Sequence, residues 1–171
     1  GNAFAWIQDK FPTMQIPALY MHVSGFNQNV LVGDSLLSLS IDKYMGEDYP
    51  LYQDFFYDYQ RRKMQPSHVV PDYIAGWLMS EYPFNGNENV LLDRMIYEGK
   101  IKYLIHQAFP ELKPEVLMGY TETSYNWCKE NESNLWKAII ERKHLYTPDQ
   151  MTTGKYFDNV PSTFLASDAP G

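Results

Sequence analysis

Cysteine is almost missing from this chain. Cys128 is the single one in 171 residues, which excludes an internal disulfide and a zinc site built from several thiolates. Lying among Tyr125, Trp127 and Leu135, it reads as a packed structural thiol rather than a nucleophile. No run of about 18 apolar residues occurs, so no segment reads as a membrane-spanning helix. Positive charge is scarce too: 14 Lys and Arg against 21 Asp and Glu leave a net charge of −7. That sign does not fit a nucleic-acid binder, which needs a basic surface. The one basic cluster, Arg61-Arg62-Lys63, reads as a helix end complementing the helix dipole. Gly25, Gly33 and Gly46 are scattered and form no phosphate-cradling fingerprint, and no Gly-x-Ser-x-Gly exists. The four histidines, His22, His68, His106 and His144, stand at least 38 residues apart. There is no His-Glu-x-x-His pair, and His68 and Asp72 are separated by Pro71, which starts a helix and leaves His68 outside it. Metal sites need three converging donors, so neither a metal nor a cofactor is expected.

What is present is hydrophobic mass, 44% of the residues, with 16% aromatic. This is enough for one globular domain spanning 1–171. Phe4 to Phe11 reads as the end of an amphipathic helix. Pro17 to Phe26, Asn29 to Val32 and Ser35 to Ile41 read as strands, with Gly33-Asp34 a turn signal. They predict a small antiparallel sheet. Helices follow. One is capped by Asp48 and runs from Pro50 to about Met64, with Leu51, Phe55, Phe56 and Tyr59 inward. Another runs from about Pro71 to Glu81. Thr121 to Lys129 and Ser133 to Lys143 follow, the latter with Leu135, Trp136, Ile139 and Ile140 inward. Thr147-Pro148-Asp149-Gln150 reads as a capping box with threonine at the cap. Asp158 to Gly171 shows no periodicity. Strands early and helices afterwards define an α+β fold.

The longest periodic segment, Asn89 to Phe109, carries Leu91, Leu92, Met95, Ile96, Ile101, Leu104 and Ile105 at helical spacing. Pro110 ends it. Its centre, Tyr97-Glu98-Gly99-Lys100, sets a carboxylate beside a weak helix former. Glu98 pairs with Lys102 on a solvated face in one reading. In the other, a carboxylate and a weak helix former at mid-helix mark a functional position. Asp72, at a helix start, suits a capping role. Together with Glu98, and with Glu81 or Asp93 if the fold gathers them, it also offers a carboxylate pair able to act as an acid. Asp72 and Glu98 are the candidate catalytic residues.

Three stretches in a shared order resemble the gliding-motility lipoproteins of the GldB-like group of Bacteroidetes. They are Leu39-Ser40-Ile41-Asp42-Lys43-Tyr44-Met45-Gly46, then Met95-Ile96-Tyr97-Glu98-Gly99-Lys100, then Gly119-Tyr120-Thr121 with Trp127 to Glu132 and Leu135-Trp136. Tyr59 to Met64 and Leu145-Tyr146 fit as well. The resemblance covers roughly Pro17 to Gly171. It implies a lipid-anchored protein of the cell envelope that works with other envelope proteins. It also implies that this chain, opening at Gly1 and closing at Ala169-Pro170-Gly171, is a fragment at both ends. The group is in turn similar to zinc peptidases of zincin-like fold, in which a His-Glu-x-x-His helix follows the strand matched by Ser38 to Tyr44. Here Asp72-Tyr73-Ile74-Ala75-Gly76-Trp77-Leu78 occupies that helix without either histidine or the glutamate. Glu98 stands at the place of a zinc ligand, which implies that it turns inward, buried, metal-free and hydrogen-bonded to Arg94 or Lys102, with Gly99 admitting a neighbouring element. The implied architecture is a degenerate zincin-like scaffold without its catalytic groups.

Three functions stay open: a non-catalytic envelope module, a hydrolase with a rebuilt carboxylate site, and a glycan- or peptide-binding protein. The last draws on 14 tyrosines and four tryptophans, residues favoured at binding hot spots.

Overall fold

The computed structural model describes residues 2–33, 35–87 and 90–158. Expectations resting on Gly1, Asp34, Asn89 and residues 159–171 lie outside these residues. The architecture is α+β, a three-stranded sheet in the N-terminal third followed mostly by helices. The chain divides into two compact units, Gly1–Pro83 with Lys100–Gly119, and Phe84–Gly99 with Tyr120–Gly171. Among the described residues no helix is long and apolar enough to cross a membrane.

In the first unit, α1 (Asn2–Lys10) precedes β1 (Ala18–His22), β2 (Val30–Gly33) and β3 (Leu36–Ser40). The sheet is mixed rather than antiparallel. Its order is β1-β3-β2, with β2 antiparallel to β3 but β1 parallel to it. The cause lies in β3, whose Leu37 and Leu39 are almost wholly buried. The most buried strand takes the centre, and the residues between β1 and β2 carry the chain past it to the far edge. A helix, α4 (Val69–Glu81), covers the Leu37-Leu39 face with Ile74, Trp77 and Leu78 fully buried. Burying side chains of this size contributes about 1.5–3 kcal/mol each. Gly76 makes the approach possible, since a Cβ there would meet Val30 Cγ1 at 3.0 Å and Leu37 Cδ2 at 3.7 Å. Phe4 of α1 lies against Tyr73 and Trp77.

The expected helix from Pro50 to Met64 is instead two short ones, α2 (Pro50–Phe55) and α3 (Asp58–Arg61). Phe56 is extended between them, its ring packed on Tyr52 and Phe26. Asp48 does not cap α2; Tyr49 holds that position with no side-chain bond. Nor do Leu51 and Phe55 face inward, because Tyr52 is the buried residue of this helix. Its hydroxyl is drawn in to bond backbone atoms, which rotates the helix.

The long helix α5 (Leu91–Ala108) contributes to both units. Ile101, Ile105 and Ala108 are buried in the first, where α6 (Pro114–Met118) adds Leu117. In the second, Leu91 is buried while Ile96 is exposed. α7 (Glu122–Glu130) is capped by the Thr121 hydroxyl, which accepts from Ser124 N at 3.0 Å. On α8 (Glu132–Glu141) Ile139 alone is buried; Trp136 and Ile140 face outward, against the expected inner face. The cap of α9 (Gln150–Asp158) also differs from expectation. Asp149 accepts from Met151 N at 3.2 Å and Thr152 N at 3.1 Å, while Thr147, two residues earlier, accepts from Asp149 N at 3.3 Å. A carboxylate adjacent to the first turn outcompetes a hydroxyl two residues earlier.

Candidate functional site

Polar contacts concentrate where β3 gives way to the turn Ile41–Lys43, within the Leu39–Gly46 stretch. The loop after β1 places Gly25 (φ +65°) and Phe26 (φ +67°) in the left-handed region, a conformation that costs a phenylalanine about 1–2 kcal/mol. Such a turn points successive backbone N–H groups into one concavity suited to an anion. The Asp42 carboxylate fills it, accepting from Phe26 N at 2.9 Å and Ser24 N at 3.2 Å. The Ser40 hydroxyl donates to the same carboxylate. Burial pushes the Asp42 carboxyl upward, but the donors from Ser40, Phe26 and Ser24 outweigh it and hold the pKa at about 2.

Each neighbour of Asp42 ties down a different segment. The Lys43 ammonium reaches Phe26 O at 3.3 Å and lies 4.4 Å from the centre of the Phe56 ring. Burial lowers its pKa, against the pull of Asp42. Tyr52 donates to the backbone carbonyl of Asp42 and accepts from Met45 N at 3.1 Å. Gly46 N bonds Met64 O at 2.9 Å, joining this stretch to the residues after α3. Tyr44, buried, donates to Asp72 Oδ2 at 2.7 Å and so fastens the turn to α4. Burial and the adjacent carboxylate raise the Tyr44 phenol far above its ordinary value.

Asp72 occupies the first turn of α4. Burial raises its pKa above the usual carboxylate range; the Tyr44 hydroxyl and the charges of His68, Lys63 and Lys102 pull it down without prevailing. His68 is buried, its Nε2 2.9 Å from Val116 O and its Nδ1 3.4 Å from Ser67 Oγ. That contact assigns the proton to Nε2 and makes His68 a satisfied core residue, in line with its lone position in the sequence.

The other candidates fare differently. Asp72 belongs to the first unit and Glu98 to the second, so each stands on its own surroundings. Glu98 is half-buried, and among the described residues no hydrogen bond or ion pair holds it. Its expected partners are engaged elsewhere: Arg94 lies 4.3 Å from the centre of the Phe157 ring, and Lys102 acts on Asp72. Gly99 admits no neighbouring element, since a Cβ there would meet nothing within 4 Å. Glu81 is exposed, and Asp93, in the first turn of α5, accepts from Asn87 N of the preceding loop at 2.9 Å. Cys128 is half-buried, its thiol pKa raised by burial.

Asp42, Tyr44 and Tyr52 are the residues that sequence reasoning overlooked as a site. The signal was present in Leu39–Gly46, where serine, aspartate, lysine and tyrosine follow a strand in close order. Spacing alone does not reveal that Asp42 faces a left-handed loop or that Tyr44 finds Asp72.

Metal chemistry does not fit the donors present. Where the resemblance places His-Glu-x-x-His, α4 offers Asp72 alone, followed by Tyr73, Ile74, Gly76, Trp77 and Leu78 turned into the core. Among the described residues no three His, Cys, Asp or Glu side chains converge to hold an ion.

Aromatic rings gather beside the Asp42 corner. Phe26, Tyr49, Tyr52, Phe55 and Phe56 form a chain of ring contacts with centroids 5.1–6.2 Å apart. Phe55 is 68% exposed, and Tyr57, 72% exposed, lies parallel to Tyr59.

The fold and site thus define an α+β protein whose sheet, helix α4 and loop after β1 are tied by one carboxylate-centred corner. The profile of the gliding motility protein GldB family matches residues 1–171, and the chain belongs to that family. No curated protein and no solved structure matches it.

Proposed function

We propose that this chain is the non-catalytic module of a cell-envelope lipoprotein serving gliding motility. It is a peptidase-like scaffold that has lost its zinc-binding groups and acts by holding other envelope proteins. The family match supports the motility and envelope assignment. The observation that carries the non-catalytic part is α4 itself. The helix that would bear a metal motif spends its inner face on packing, and Asp72, the carboxylate of its first turn, serves as acceptor for Tyr44.

The test is complementation of a gliding bacterium lacking its own copy. A variant carrying Asp72→Asn and Glu98→Gln is expected to restore spreading as well as the wild type does. Stoichiometric zinc in the purified protein, with chelator-sensitive peptide hydrolysis, overturns the proposal. So does a folded double variant that fails to restore spreading.

A second reading, glycan or peptide binding, is favoured by the exposed ring of Phe55, continuous with a larger ring cluster, and by the exposed ring of Tyr57. Protection of Phe55 and Tyr57 resonances on titration with cell-wall glycans supports it, and unchanged spectra remove it.

A further inference from the structure

Among the described residues β1 is an edge strand with no strand paired to its outer side. It pairs with β3 alone, and the bond from Ala18 N to Ser35 O sets the phase. In a strand the N–H and C=O of alternate residues point to opposite edges, so Ala18, Tyr20 and His22 face β3 with their backbone groups. Leu19 and Met21 turn theirs outward, and among the described residues they have no partner. Their side chains are uncovered as well: Leu19 is 51% exposed, Tyr20 56% and Met21 61%. Natural edges are blunted by lysine, proline or a bulge within the strand, and Ala18–His22 contains none of these. Unmet backbone donors and acceptors combined with exposed apolar side chains are satisfied by one kind of occupant, an extended strand.

We propose that this occupant is β1 of a second copy, paired antiparallel about a two-fold axis at Tyr20. The register follows from the outward groups. Leu19 of one copy and Met21 of the other exchange two hydrogen bonds, and the symmetric pair exchanges two more. Tyr20 faces Tyr20 as a non-hydrogen-bonded pair, and Ala18 faces His22. Leu19 and Met21 meet on one face and the tyrosine rings on the other. No carboxylate or ammonium group falls in this register, so pairing opposes no like charges although the whole chain carries −7. The opposite edge, β2, has only four residues and ends in glycine, which offers no side chain to such a pairing. Two three-stranded sheets become one of six strands, buried at a join that each lacks alone.

Sedimentation of the chain over a concentration series is expected to show mass climbing from the 20.0 kDa monomer towards the dimer. A Leu19→Lys, Met21→Lys variant is expected to stay monomeric with unchanged circular dichroism, since neither backbone group belongs to the chain's own ladder. Cysteine pairing tests the register independently of that variant's folding. In a Cys128→Ser background, Tyr20→Cys is expected to cross-link on mild oxidation, because opposed residues of this kind stand about 4.5 Å apart at Cα, within disulfide reach. Leu19→Cys, facing Met21, is expected not to. A wild type that remains monomeric throughout overturns the proposal. A dimer that survives the lysine pair, or equal cross-linking at both positions, overturns it as well.

Discussion

The corner around Asp42 and the middle of α5 around Glu98 both set carboxylates among apolar residues, and they resolve that conflict in opposite ways. Asp42 receives donors from Ser24, Phe26 and Ser40, and through Tyr44 its turn also holds Asp72. Glu98 stays half-exposed beside Gly99, with open space around that glycine. The two are similarly half-buried, and what differs is their donors: one carboxylate is held by three, while the other keeps its water. The lesson is that helical periodicity points to apolar density, whereas organisation in this protein comes from a short, aperiodic turn.

The largest expected effect is at Asp42. Asp42→Ala strands the N–H groups of Ser24 and Phe26 and releases the left-handed Phe26, a loss of about 2 kcal/mol. Urea unfolding at neutral pH measures it, and a loss below about 0.5 kcal/mol would make the corner incidental. Next comes Tyr44→Phe, which removes the one hydroxyl donor to Asp72. It is expected to cost about 1–2 kcal/mol, with the ring packing kept as an internal control.

Acid separates the two aspartates of the corner. Asp42, with a folded pKa of about 2 against an ordinary 3.8, contributes stability that is present above about 4 and lost as pH falls towards 2. Asp72 has the opposite sign, because its folded value is raised. Its contribution is full below the ordinary carboxylate pKa and declines as pH rises through the folded one. Asp72→Asn is therefore expected to raise the melting temperature at neutral pH, with the gain shrinking as pH falls through the raised folded value and gone below about pH 4. An Asp72→Asn variant destabilised at pH 7 would show that the cations nearby hold the ionised form.

Glu98 and Gly99 supply the contrast. Gly99→Ala is expected to stabilise the protein by about 0.5–1 kcal/mol, because the added methyl meets nothing and helix propensity improves. Glu98→Gln is expected to change stability by less than about 0.5 kcal/mol. A large loss at either position would reverse the comparison and restore the middle of α5 as a site.

Much of the fold was legible along the chain. Strand composition located β1, β2 and β3, proline signals found α4 and the end of α5 closely, and the helix expected over Thr121 to Lys129 corresponds to α7. The errors share a cause. Leu51, Phe55, Trp136 and Ile140 were assigned to inner faces by hydrophobicity, but a short helix turns whichever residue the neighbouring backbone engages. At α2 that residue is Tyr52, through bonds to Asp42 O and Met45 N. The split at Phe56 was hidden for the same reason, since its ring packs on Phe26, which lies 30 residues earlier in the loop that Asp42 fixes.

The candidate site divides along the same line. That α4 carries no metal motif, that His68 is a lone histidine, and that the chain holds strands before helices are properties of residue type and order, which local chemistry expresses without help. The placing of β3 between β1 and β2, the meeting of Tyr44 with Asp72, and the opposite pKa directions of Asp42 and Asp72 arise only on folding. They depend on which donors and how much water surround a group, and those are set by residues distant in the chain.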